Sequence, residues 1–134
     1  MKKQIVVVAV LALAAGGAFA QANDTLAKIA ASGTISLGVR DSSALSYTLG
    51  NGKYVGFHTE MAEHIIDDLS KKIGKPLTIK YTLVTSQNRV PLVENGTVDL
   101  ECGSTTNNKA RAKDVSFAYN TYMEVVRMAV KANS

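Results

Sequence analysis

The chain has 134 residues, 46% of them hydrophobic and 19% charged, and 15 Lys and Arg against 11 Asp and Glu give a formal net charge of +4. With 10 glycines and 2 prolines it is neither collagen-like nor a low-complexity disordered chain. The single cysteine excludes an internal disulfide, and the absence of a polybasic patch argues against a nucleic-acid partner.

The chain begins with a short basic stretch, Met1-Lys2-Lys3, followed by an uncharged apolar run over 5–15 and a small-x-small site at Ala18-Phe19-Ala20. This is the pattern of a cleavable secretory signal, too short and wrongly flanked for a membrane span. Residues 1–20 are therefore assigned to a signal peptide and 21–134 to a single domain. Without Lys2 and Lys3 the excess of basic over acidic groups is small, so part of the basicity belongs to targeting. The remaining length suits one small domain with a real core.

A first helix is expected over 24–31, capped by Asp24 and ended by Ser32-Gly33. Ile35, Leu37 and Val39 alternate in a strand over 34–39 that delivers Arg40 at its carboxyl end. Residues 42–51 read as a loop that carries Tyr47 and turns at Asn51-Gly52, and 53–57 as a short extended segment. The clearest helix covers 59–73, where Met61, Ala62, Ile65, Ile66, Leu69 and Ile73 make one stripe at helical spacing. Glu60 and Glu63 early, Lys71 and Lys72 late, match its dipole, and Gly74 and Pro76 stop it.

A strand over 77–84 follows, then a helix over 88–94 ended by Asn95-Gly96. Pro91 falls in that helix's first turn if Asn88 is the cap, and costs a hydrogen bond if Ser86 is. The third strand is 98–102, a short helix is expected over 107–114, and a β-rich apolar run over 122–130 ends the chain. Helices alternating with strands argue for an α/β domain with a largely parallel sheet.

Ligands of such sheets gather beyond the carboxyl ends of the strands. Arg40 ends the first strand, Ser86 and Arg89 follow the second, and Ser104, Thr105 and Thr106 follow the third, with Arg111 shortly after. Guanidinium groups with hydroxyls beside a helix start suit carboxylate or phosphate. By spacing alone two readings stay open for Thr106 and Arg111: an anion site, or a helix cap beside a solvated arginine. Arg40 and Arg89 are likewise either anion ligands or surface residues. His58 and His64 have no ligand constellation around them and are expected to be partly exposed helix residues, so neither a metal nor another cofactor is implied. Asp67-Asp68 reads as a solvated helix face, and Cys102 as a buried thiol in preference to an intermolecular bridge.

The segments Ser86-Gln87-Asn88-Arg89 and Cys102-Gly103-Ser104-Thr105-Thr106-Asn107-Asn108, with Asp114-Val115-Ser116-Phe117 after Arg111, closely resemble the first lobe of periplasmic amino-acid-binding proteins, the receptor components of ABC importers. The likeness is greatest to the glutamate/aspartate-binding members. It implies a type II-like, three-layer lobe with helices on both faces of the sheet. It also implies that Arg111 and Thr106 hold the ligand's α-carboxylate, that Ser104 contacts the amine side, and that Arg40, Ser86 and Arg89 hold the side-chain carboxylate. A periplasmic location and a membrane permease as partner follow from the same resemblance, as does the lack of a catalytic cycle.

The likeness covers about 26–130, whereas family members continue through a second lobe and return. The expectation is therefore a single lobe without second lobe or return segment. Its open half-site should bind more weakly than a closed one, with roughly −8 to −4 kcal/mol. An exposed sheet edge invites a homodimer. The alternative reading is a lobe that serves folding or assembly with little ligand binding; an enzyme on the same fold ranks below both.

Overall fold

A computed structural model of the chain describes residues 24–42, 44–125 and 127–132. The signal-peptide assignment lies outside the described residues.

Helix α1 (Thr25–Ser32) starts where Asp24 accepts a hydrogen bond from the Ala27 amide, and ends where Gly33 takes a left-handed conformation. Strand β1 (Thr34–Val39) follows at once. The expected loop is more ordered than its composition suggests. Strands β2 (Tyr47–Gly50) and β3 (Lys53–Val55) form an antiparallel hairpin closed by Asn51-Gly52, both with positive φ, 50° and 77°. Two positive φ values in a two-residue loop match the twist of the flanking strands, which is why Asn-Gly is found there.

Helix α2 (Phe57–Ile73) begins two residues earlier than expected, because Gly56 caps it at φ 122°. A Cβ on Gly56 would lie 2.7 Å from the Leu45 carbonyl oxygen, so only glycine lets the two backbones meet. Strand β4 (Thr78–Leu83), helix α3 (Arg89–Glu94), the two-residue strand β5 (Leu100–Glu101) and a single 3₁₀ turn (Arg111–Lys113) complete the regular structure.

The main sheet has the order β4-β1-β5, all parallel, with β1 in the middle. Its core is one cluster: Ile35, Leu37 and Val39 of β1 against Ile29 of α1 and Ala62 and Ile66 of α2. Fully burying each of the isoleucine, leucine and valine side chains is worth about 1.5–3 kcal/mol. Gly38, on the alternate face, makes room for Val98 and Glu101; a Cβ there would lie 3.0 Å from Val98 Cγ1. Asp99, its side chain 3% exposed, locks the entry to β5 by accepting from Lys28 Nζ at 2.7 Å and from the Ser36 amide at 2.9 Å. The result is the α/β lobe with a parallel sheet that the element order implies.

Two expected elements are absent. The helix over 107–114 is reduced to its last turn, because the Asn108 side chain accepts from the Arg111 amide and competes with the helical ladder. The apolar run over 122–130 is not a strand at any described residue: Met123, Met128 and Val130 are exposed, and a cavity rather than a hydrogen-bonding edge separates residues 122–124 from β5. Val126 lies outside the described residues.

Candidate anion-binding rim

Parallel strands bring their carboxyl ends to one side, and the three loops that leave there carry the expected polar residues. Arg40 leaves β1 with its backbone fixed by a buried serine. Ser46 Oγ accepts from the Arg40 amide at 3.1 Å and donates to the Arg40 carbonyl at 2.8 Å, and the Thr59 hydroxyl donates to Ser46 Oγ at 3.1 Å. Arg40 Nη1 then donates to Ser86 Oγ at 3.0 Å, joining the first two loops.

The second loop is held at both ends. The Val84 amide donates to the Val39 carbonyl, continuing the β1–β4 pairing to the rim. Thr85 and Asn88 exchange side-chain-to-amide bonds, with the Thr85 amide donating to Asn88 Oδ1 at 2.7 Å. Asn88 occupies the N-cap position of α3 without a side-chain bond into that helix, and Pro91 sits in the first turn, where its missing N–H costs nothing. Arg89, the first residue of α3, is only 6% exposed. Arginine is rarely so buried without a partner.

Its partner is an acid at the carboxyl end of β5. Glu101 closes β5, and its side chain, 9% exposed, lies with Oε1 3.9 Å from Arg89 Nη1. Thr105 Oγ1 donates to Glu101 Oε2 at 2.7 Å. Among the described residues Arg89 Nε, Arg89 Nη1, Glu101 Oε1 and Arg40 Nε are buried without a hydrogen-bond partner. Burial lowers the pKa of the Arg89 guanidinium, Glu101 opposes that shift, and Arg40 and Arg111 add to it. Arg40 and Arg111 are therefore both near enough to oppose the charge on Arg89. The missed signal was positional: an acid at the last residue of a parallel strand stands at the ligand end of the sheet.

In the third loop Ser104 and Thr106 are exposed, and Arg111, half-buried, donates from Nη1 to the Thr106 carbonyl at 3.0 Å. Beside β5 a cavity of about 510 Å³ is bounded by α2, α3 and residues 115–124. Arg89, Glu101, Ser104 and Thr106 line it, whereas Arg40, Ser86 and Arg111 do not. The structure joins Arg40 to Ser86, and Arg89 to Glu101, which Thr105 holds. Arg111 turns to its own loop.

His58, expected to be partly exposed, is 1% exposed, since α2 starts early enough to put it inside. Its Nε2 lies 3.3 Å from Thr121 Oγ1. Burial lowers its pKa, with Glu101 acting in the other direction. His64, Asp67 and Asp68 are exposed. Cys102 is half-buried, and burial, helped by Glu101, pushes its thiol up to about 11. Among the described residues no group of three or more His, Cys, Asp or Glu is placed to hold a metal ion, and no helix is long and apolar enough to cross a membrane.

The chain resembles several known proteins. It is 42% identical over 132 residues to a glutamate/aspartate import solute-binding protein of Escherichia coli K12, covering 92% of this chain and 44% of that protein. It is 44% identical over 110 residues to an L-glutamate/L-aspartate-binding protein of Pseudomonas aeruginosa, covering 80% of this chain and 36% of that protein. The chain thus spans less than half the length of these relatives. Among solved structures it matches a solute receptor for L-cysteine of Neisseria gonorrhoeae with a TM-score of 0.61 and 35% identity, over 70% of this chain and 37% of that one. Residues 35–134 match the model of a single family, and the chain belongs to it: the bacterial extracellular solute-binding proteins, family 3.

Proposed function

We propose that this chain is the carboxylate-gripping lobe of a periplasmic solute-binding protein for an acidic amino acid, L-glutamate or L-aspartate, and serves an ABC importer whose permease is its membrane partner. The observation that carries the reading is Arg89, a guanidinium 6% exposed, with two nitrogens unpartnered among the described residues, on a rim shared with two further arginines. Burying such a group is costly unless an anion completes it. Arg40 and Arg111 both lie near enough to act on Arg89, with Glu101 the carboxylate that opposes them. A ligand with two carboxylates can meet these guanidiniums better than one with a neutral side chain.

In this reading Arg111 and Thr106 take the α-carboxylate and Ser104 the amine side. Arg40, Ser86 and Arg89 take the distal carboxylate. For the α-carboxylate, the Arg111 guanidinium exchanges or shares its bond to the Thr106 carbonyl, and a planar fork can do this without losing its second face. The protein binds and releases; it carries out no chemical step. The names of the relatives support the ligand class.

The test is a ¹⁵N–¹H titration of the purified protein with L-glutamate, with L-glutamine as control. Shifts around Arg40, Ser86–Arg89 and Ser104–Arg111 are expected with glutamate at concentrations where glutamine gives much smaller ones. Resonances unmoved by glutamate and aspartate would overturn the reading.

A further inference from the structure

Glu101 is the carboxylate at the centre of a cationic rim, and its surroundings fix it there. Its stem crosses Gly38, where even a methyl group would come within 3.2 Å of Glu101 Cγ. On the other side the backbone at Gly103 closes over it, so that a Cβ there would lie 2.5 Å from Oε1. The Thr105 hydroxyl clamps Oε2 at 2.7 Å. Oε1 faces Arg89 Nη1 at 3.9 Å. That separation is too long for a hydrogen bond and short enough for a charge pair. Glu101 thus compensates the buried charge of Arg89 while Arg89 Nε and Nη1 keep their hydrogens unspent.

We propose that Glu101 is a positioning residue for the distal-carboxylate subsite: clamped by Thr105, it holds the Arg89 guanidinium inside the cavity without consuming the donors that a ligand carboxylate takes. This rests on the assignment of Arg89 to the ligand's side-chain carboxylate. The ion pair leaves Arg89 Nε and Nη1 as donors that a ligand oxygen takes. Glu101 therefore favours an acidic ligand although it carries the same charge as that ligand's side chain.

Glu101→Gln isolates the effect, because the amide keeps the volume and can accept from Thr105 while losing the charge. Two readouts on the purified protein decide the matter. Without ligand, the Arg89 Nε–Hε resonance is expected to exchange slowly with water in the parent protein, and about tenfold faster in Glu101→Gln as Arg89 turns outward. Unchanged exchange overturns the proposal whatever the protein binds. With ligand, Glu101→Gln should weaken L-glutamate about tenfold while L-glutamine changes by less than about twofold. Equal losses for both ligands would make Glu101 mere scaffold, and a gain for glutamate would make it a repulsive charge; either overturns the proposal. Thr105→Val, which only unclamps Oε2, should shift both readouts the same way by a smaller amount and stands in if Glu101→Gln does not fold. If the parent protein binds no acidic amino acid, the functional reading falls alone, and the exchange measurement still decides the role of Glu101.

Discussion

Arg89 Nη1 lies 3.9 Å from Glu101 Oε1 with both side chains at most 9% exposed, and neither atom has a hydrogen-bond partner among the described residues. Removing one member of a buried pair strands the other, at a cost of roughly 3 kcal/mol. Arg89→Ala should therefore lower the urea midpoint as well as shift ligand preference away from dicarboxylates. Adding Glu101→Gln to Arg89→Ala should recover much of the stability and none of the glutamate affinity. A double variant no more stable than Arg89→Ala would mean that the pair does not carry the burial cost.

Arg111 is expected to matter to every amino acid and not only to acidic ones. It reaches the Thr106 carbonyl from a 3₁₀ turn, and the proposed ligand group is the α-carboxylate that all amino acids share. Loss of a charge-assisted pair costs about 1.5–3 kcal/mol, which is about ten- to a hundredfold in affinity. Calorimetry on Arg111→Ala should show that loss, whereas full glutamate affinity would remove Arg111 from the site.

Ser46 acts on the site through the backbone. At 2% exposure its hydroxyl binds both the amide and the carbonyl of Arg40 and accepts from Thr59. Ser46→Ala strands these groups, at about 1–3 kcal/mol. For a domain of this size that is a fall of about 4–8 °C in melting temperature per kcal/mol. Glutamate affinity should fall a few-fold with the loosened Arg40, without a change in preference. A melting temperature equal to that of the parent would show the hydroxyl to be replaceable.

Where a pattern in the sequence matched a local physical cause, it was legible. Asp24 as a cap, the stripe of α2, the Asn51-Gly52 turn and the alternation of β1 each depend on a few adjacent residues. The placement of Arg40, Ser86, Arg89, Ser104 and Thr106 at one rim was legible too, since a parallel sheet fixes which end of each strand faces the same way. Three things depended on tertiary context. The run over 122–130 has strand propensity, but none of its described residues pairs with a strand, and propensity without a partner makes no strand. The helix after Thr106 lost to the side chain of Asn108. The burial of His58 followed from a helix start set by Gly56 and the close carbonyls of Ala44 and Leu45, which no local pattern marks.

Gly56 itself is expected to be irreplaceable. Its φ of 122° is unfavourable for any side chain, and an added Cβ would meet two backbone oxygens at 2.7 and 2.8 Å, neither of which can rotate aside. Gly56→Ala should cost more than about 2 kcal/mol, the sum of a strained backbone and a forced shift of the 44–45 turn. Chemical denaturation checks this, and a loss below about 0.5 kcal/mol would show that the turn yields easily.

His58 makes the stability of the lobe depend on pH. Its ring is 1% exposed, with Nε2 at Thr121 and Nδ1 unpartnered among the described residues. Burial lowers its pKa, and Glu101 opposes the shift without reversing it. A histidine with a depressed pKa is protonated first in the unfolded chain. Above about pH 6.5 both states are neutral and the group adds no pH dependence; as the pH falls through that value the unfolded state gains a proton that the folded state resists, and stability declines. The decline levels off once the folded imidazole is charged too. Urea midpoints measured from about pH 7 down to about pH 5 should fall in the parent protein and fall less in His58→Gln, which keeps a polar group near Thr121 but cannot titrate. Parallel slopes in the two proteins would show that the imidazole finds a counter-charge on protonation, with Glu101 the group to test next.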